Sequence, residues 1–183
     1  MKAASQILMK VIDMNTNSKD KLRVLTLAAL FTAMTTVATL LIQIPTPTKG
    51  YVNLGDAIVN LGAWVLGPVY GAAAAGIGSA IADIVSGYVI YAPVTLVVKA
   101  AMAAVSGIVI RTAGKSAAPL PARIAAAASA EVIMIVGYAL FEALLYHSFS
   151  AAMLGVPANA VQGALGAAVS VAVYSLLRKR DLR

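Results

Sequence analysis

DAIVNLGAWVLGPVYGAAAAGIGSAIAD, from Asp56 to Asp83, carries a carboxylate at each end and no charge between them. Pro68 divides it, because a proline cannot continue the helix that precedes it. The first part, from Asp56 to just before Pro68, spans only about 18 Å at about 1.5 Å per residue. A short, tilted or partly re-entrant helix is expected there. GPVYG (Gly67–Gly71) reads as a tight turn, and a second helix is expected from about Ala72 to Ser86. Gly87 breaks the chain after it. A charge placed in apolar sequence of this kind needs a physical reason, and Lys99, Glu131 and Glu142 repeat the problem downstream.

The surrounding composition names the solvent. Apolar residues make up 61% of the 183 and charged residues 11%, against about 25% charged in a soluble domain. Val24–Thr48 and Ala143–Leu177 extend the uncharged pattern, the latter interrupted only by His147. Each is long enough for a helix crossing about 30 Å of hydrocarbon. A β-barrel would show short segments of alternating polarity, which this sequence lacks.

The net charge of +7 is not a nucleic-acid footprint. The cations gather at Lys2–Arg23, at Arg111–Arg123 and at Arg178–Arg183, flanking apolar runs as the positive-inside rule describes. No basic stripe interleaved with aromatics accompanies them, and no nucleic-acid partner is expected. The first helix is predicted over about Leu22–Ile44 and stops before Pro45 and Pro47. A loop rich in Pro and Gly leads to Gly55. The fourth helix begins near Pro93 and runs to about Ile110, the fifth covers Arg123–Tyr146, and the sixth opens at Pro157. The expected fold is therefore an all-α integral membrane protein of six transmembrane helices with a short second one. Both termini lie in the cytoplasm, which puts all three basic clusters on one side. The divisions are a cytoplasmic segment 1–21, a membrane domain 22–178 and a basic tail 179–183.

That topology gathers polar residues in the outward half. Asn53 and Asp56 stand at the first loop, while Asp83, Tyr88 and Tyr91 bracket the third. Lys99 lies two turns into the fourth helix. Tyr138 and Glu142 share a face at spacing i, i+4, as do Asn159 and Gln162 at i, i+3. Together they can line a pocket for a small polar aromatic solute. The competing reading is structural: Lys99 paired with Asp83 or Asp56, Asp56 capping the second helix, Tyr88 and Tyr91 as interfacial residues. Glu131 lies nearer the cytoplasmic half and reads as structural. Ala29 and Ala33 form an AxxxA face suited to close helix contact; Ala74, Gly78 and Ala82 form a similar seam.

Several chemistries are missing. Cysteine is absent, HExxH and GxSxG do not occur, and the single histidine has no Cys or His partner nearby. No catalytic residue, metal ligand or bound cofactor is expected, so the chain is not read as an enzyme. The phosphate-binding pattern GxxxxGK[ST] is also absent. Energy for uptake must come from an ion gradient or from partner subunits.

The stretch GYVNLGDAIVNLGAWVLGPVYGAAAAGIGSAIADIVSGYVIYAPVTLVVKAAMA (Gly50–Ala103) resembles the substrate-binding S components of energy-coupling factor (ECF) vitamin transporters. The resemblance is to the riboflavin-type branch, which includes hydroxymethylpyrimidine and vitamin B6 carriers. GYALFEALLY (Gly137–Tyr146) and VPANAVQGALG (Val156–Gly166) match the same branch, and the likeness covers about Leu22–Leu177. It implies high-affinity vitamin binding at the outer side of a bacterial cytoplasmic membrane. It also implies a transmembrane coupling protein (T component) and two ABC-type ATPases as partners, which hydrolyse the ATP. Ala29 and Ala33 would then contact the coupling protein. Asn53, Asp56, Lys99, Tyr138, Asn159 and Gln162 suit hydroxymethylpyrimidine or pyridoxine as ligand. Riboflavin, and a self-sufficient ion-coupled transporter of a small solute, are the alternatives.

Overall fold

The computed structural model describes residues 2–46, 48, 50–114 and 118–181, with side chains described for 20–46, 48, 50–114 and 118–177. Pro47, Lys115 and the side chains of the basic tail and of most of the predicted N-terminal segment lie outside those limits.

The first helix is longer than its apolar run: α1 extends over Lys2–Leu41, so the polar opening stretch is helical as well. It ends before Ile44, because the chain there pairs instead with the far side of the first loop. β1 (Ile44–Pro45) and β2 (Tyr51–Val52) are antiparallel, with Ile44 opposite Val52 and Pro45 opposite Tyr51. The Thr46 amide donates to the Gly50 carbonyl at 2.9 Å, and the Gly50 amide returns a bond to Thr46 Oγ1 at 3.1 Å. The predicted loop is thus a closed hairpin.

α2 (Gly55–Leu66) is the expected short helix. Asn53 Oδ1 accepts from the Gly55 amide at 2.8 Å and so serves the exposed donors at its start. The Asp56 carboxylate makes no such bond, contrary to the competing reading of it as a cap, and its partners lie elsewhere. Gly67 then adopts φ 81° and ψ −179°, a combination open essentially to glycine alone. The predicted five-residue turn collapses onto this one residue, and α3 (Pro68–Val85) starts directly after it. Proline is suited to that first position, where its missing N–H leaves no bond unmade. A Cβ on Gly71 would stand 2.7 Å from Ala63 Cα, so the two helices touch backbone to backbone.

α4 (Ala92–Thr112) and α5 (Leu120–Leu145) follow, then a single turn α6 (Phe149–Met153) inside the predicted outer loop, then α7 (Val156–Asp181). Among the described residues five segments are long and apolar enough to cross a membrane: Asp20–Leu41, Pro68–Val85, Ala92–Thr112, Leu120–Leu145 and Phe149–Leu177. α2 is too short to join them.

The core of the bundle holds small residues and two methionines, Met102 and Met134, both fully buried with Ala103, Ala126, Ala127 and Ala130, and Val59, Leu61, Trp64, Val98 and Ile110 pack with them. Many other large apolar side chains point outward, among them Leu25, Val37, Val97, Val132 and Leu140. This is the arrangement of a multi-pass membrane protein, in which lipid rewards close helix approach more than it rewards apolar burial. The two small-residue seams separate. Ala74 and Ala82 are buried, and Gly78 lies against α1, accepting through its carbonyl from Thr36 Oγ1 at 2.8 Å. Ala29 and Ala33 lie on the exposed face of α1.

Candidate ligand-binding site

The hairpin closes one end of the bundle, and beneath it lies a polar pocket. Its walls come from the end of α1 (Thr39), the hairpin (Tyr51 and Asn53), α3 (Ser79 and Asp83) and the start of α4 (Tyr91, Thr95 and Lys99). α5 adds Tyr138 and Glu142, and α7 adds Asn159 and Gln162. Eight of the ten residues expected from the sequence therefore line one space. The other two do not. Asp56 is fully buried behind it, and Tyr88 packs on the ring of Tyr51 with centroids 4.7 Å apart.

Asp56 organises one wall from behind. Its Oδ1 is ion-paired with Lys99 Nζ, and its Oδ2 accepts from Gln162 Nε2 at 2.5 Å. Gln162 Oε1 in turn accepts from the Asn53 amide at 2.8 Å. Four residues from α2, α4, α7 and the hairpin are thereby locked together, and three of them face the pocket. Lys99 also stands over Tyr138, its Nζ 5.6 Å from the ring centroid. A cation held over an aromatic face gains further attraction. Tyr138 shares a hydroxyl–hydroxyl bond of 3.0 Å with Thr95.

The remaining carboxylates hold the hairpin. Tyr51 Oη donates to Asp83 Oδ1 at 2.6 Å. Tyr91 Oη donates to the Thr48 carbonyl at 2.6 Å and approaches Glu142 Oε1 at 3.3 Å, while Tyr146 Oη also reaches the Thr48 carbonyl at 2.6 Å. Burial, reinforced by the Asp83 carboxylate, pushes the Tyr51 phenol well above its usual range. Burial does the same for Tyr91, reinforced by Tyr146 and Glu142. Both hydroxyls consequently remain donors. Asp83 Oδ2, Glu142 Oε2 and Ser79 Oγ on the pocket wall, and Glu131 Oε2 away from it, are buried without a hydrogen-bond partner. Unmet polar atoms of this kind mark a place where a ligand or ordered water completes the bonding.

Thr39, Tyr51, Ser79 and Thr95 line the pocket although nothing in their spacing singles them out. A second polar thread runs deeper. Trp64 Nε1 donates to Ser106 Oγ at 2.8 Å, Ser106 Oγ to Asn60 Oδ1 at 2.9 Å, and Asn60 Nδ2 to Glu131 Oε1 at 2.9 Å. This gives Glu131 a structural partner. The thread ends at a cavity of about 400 Å³ at the opposite end of the bundle, lined by Trp64, Arg111 and Tyr174 among others. Among the described residues no three His, Cys, Asp or Glu side chains gather to hold a metal ion.

A family model described as "ECF-type riboflavin transporter, S component" matches residues 19–179. An uncharacterized protein of Pyrococcus woesei is 34% identical over 112 residues, covering 61% of this chain and 72% of that protein. That relative is archaeal, whereas the sequence resemblance implied a bacterial membrane. A solved structure, described as the S component of a bacterial ECF transporter, superposes with a TM-score of 0.68 over 89% of this chain and 99% of the other. At 16% identity this likeness speaks for the fold alone.

Proposed function

Because the chain belongs to the family of ECF-type riboflavin transporter S components, we propose that it is the substrate-binding subunit of an ATP-driven vitamin importer. The hairpin end faces outward, and the vitamin is held in the pocket beneath it. The transmembrane coupling protein and two ABC-type ATPases supply the energy, and Ala29 and Ala33 on the exposed face of α1 meet the coupling protein.

The observation that carries this reading is the locked wall Asn53–Gln162–Asp56–Lys99. It places an amide and an ammonium on the pocket wall, with orientation fixed from behind. Such few, well-positioned polar groups are what orient a small ligand. The free volume in this conformation is about 30 Å³, far below the roughly 300 Å³ or more of a drug-sized ligand site. Entry of any vitamin therefore requires the pocket to widen, and the hairpin that covers it is the element to move outward.

The family description favours riboflavin as the vitamin. Hydroxymethylpyrimidine or pyridoxine is the second reading, favoured by a lining with more carboxyl, amide and hydroxyl groups than aromatic faces. Co-expression with a coupling protein and two ATPases, followed by purification through the ATPase, tests the assignment. Recovery of the chain in that complex with a vitamin bound supports it. A chain that accumulates solute with the proton gradient, independently of ATP, would contradict it.

A further inference from the structure

Three carboxylates occupy the hairpin end of the bundle, Asp56, Asp83 and Glu142, and each is at most 4% exposed. Among the described residues Lys99 is the one cation on the pocket wall, and its ammonium is already committed to Asp56. Asp83 and Glu142 face the pocket from helices on either side of α4. Each has one oxygen near a tyrosine hydroxyl and the other without a hydrogen bond. Those tyrosines are neutral donors and supply no compensating charge. A buried carboxylate is costly unless it is paired and fully hydrogen-bonded. Among the described residues no cation besides Lys99 stands on the pocket wall to balance Asp83 and Glu142.

We propose that a counter-charge arrives with the ligand: the pocket takes a cationic, amino-bearing nitrogen heterocycle whose N–H donors engage Asp83 and Glu142. This rests on the proposed vitamin-binding role and narrows the ligand class within it. Lys99 and Gln162, held by Asp56, would then serve the acceptor atoms of the same ring. A neutral flavin leaves both carboxylates without a counter-charge.

Direct binding to the purified full chain in lipid nanodiscs tests this, with pyridoxamine, 4-amino-5-hydroxymethyl-2-methylpyrimidine, pyridoxine and riboflavin as probes. One of the two amino-bearing probes is expected to bind at least about tenfold more tightly than riboflavin. Asp83→Asn and Glu142→Gln should each weaken that probe by about thirtyfold, the scale of losing one partner of a buried charge pair. Riboflavin affinity should change by less than about threefold. The ranking should persist in Lys49→Ala, a change at the cation next to the pocket residue Gly50 in the sequence.

Tightest binding of riboflavin overturns the inference while leaving the vitamin-binding role intact. So does a ranking that appears only once Lys49 is removed, or an unchanged affinity for the amino-bearing probe in both carboxylate variants. If a variant fails to fold, the wild-type ranking decides. Failure to bind all four probes, together with failure to assemble with a coupling protein and ATPases, overturns the vitamin-binding role itself.

Discussion

Lys99 on α4 and Asp56 on α2 form an ion pair almost wholly withdrawn from solvent, their side chains 3% and 0% exposed. Removing one member strands the other. Lys99→Met should therefore destabilise the protein by about 3–5 kcal/mol. The double variant Asp56→Asn with Lys99→Met should regain much of that loss, since no unpaired charge remains and the asparagine can still meet Gln162. Denaturant or thermal unfolding in one detergent compares them. A double variant no more stable than Lys99→Met would show that the pair is not the source of the loss.

Gly67 is the whole connection between α2 and α3. Its φ of 81° and ψ of −179° tax any residue with a Cβ, and the added carbon would also displace the Arg111 guanidinium. Gly67→Ala should cost at least about 1–3 kcal/mol. Gly87, at φ 83° but with open space around it, should tolerate alanine better. Equal melting temperatures for the two variants would contradict this.

The two small-residue seams should respond to bulk in opposite ways. At Gly78 a Cβ would come within 2.6 Å of the Thr32 carbonyl oxygen, so Gly78→Leu should collapse the yield of folded protein. Ala33→Leu points away from the bundle. It should leave the melting temperature and ligand affinity unchanged while lowering recovery with the coupling protein. Unaltered recovery would remove α1 from the partner contact.

Tyr51 and Tyr91 supply an alkaline signature. An unfolded tyrosine ionises near about pH 10, whereas burial raises both phenols in the folded protein. Above about pH 10 the folded state holds more protons than the unfolded state, so stability should fall as pH rises. Tyr51→Phe should start less stable, having lost its bond to Asp83, but decline less steeply. Melting curves between pH 8 and 11 measure both slopes, and parallel slopes would contradict the assignment.

The membrane character, the short second helix and most of the pocket lining were legible in the chain because charges are rare there. Each of Asp56, Asp83, Lys99 and Glu142 stands out against apolar neighbours, and Gln162 follows from its spacing to Asn159. Position behind or beside the pocket was not legible. Asp56 and Lys99 both read as isolated charges in apolar sequence, but the register of α2 against α4 and α7 turns the carboxylate into a scaffold and leaves the ammonium on the pocket wall. The hairpin was hidden because two-residue strands carry no alternation. Asn60 and Ser106 were hidden because single polar residues in apolar helices have no period to betray their partner. The two alanine seams were equivalent by composition, and only helix packing tells the buried one from the exposed one.

The central claim, that the pocket beneath the hairpin holds a vitamin, is tested most directly by mass-spectrometric identification of the small molecule retained by the gently purified protein. The account predicts a single vitamin-type heterocycle at close to one per chain, depleted in Lys99→Ala and Gln162→Ala but retained in Trp64→Phe, a change at the far end of α2. No retained molecule in the wild type, and none acquired on incubation with candidate vitamins, would contradict it.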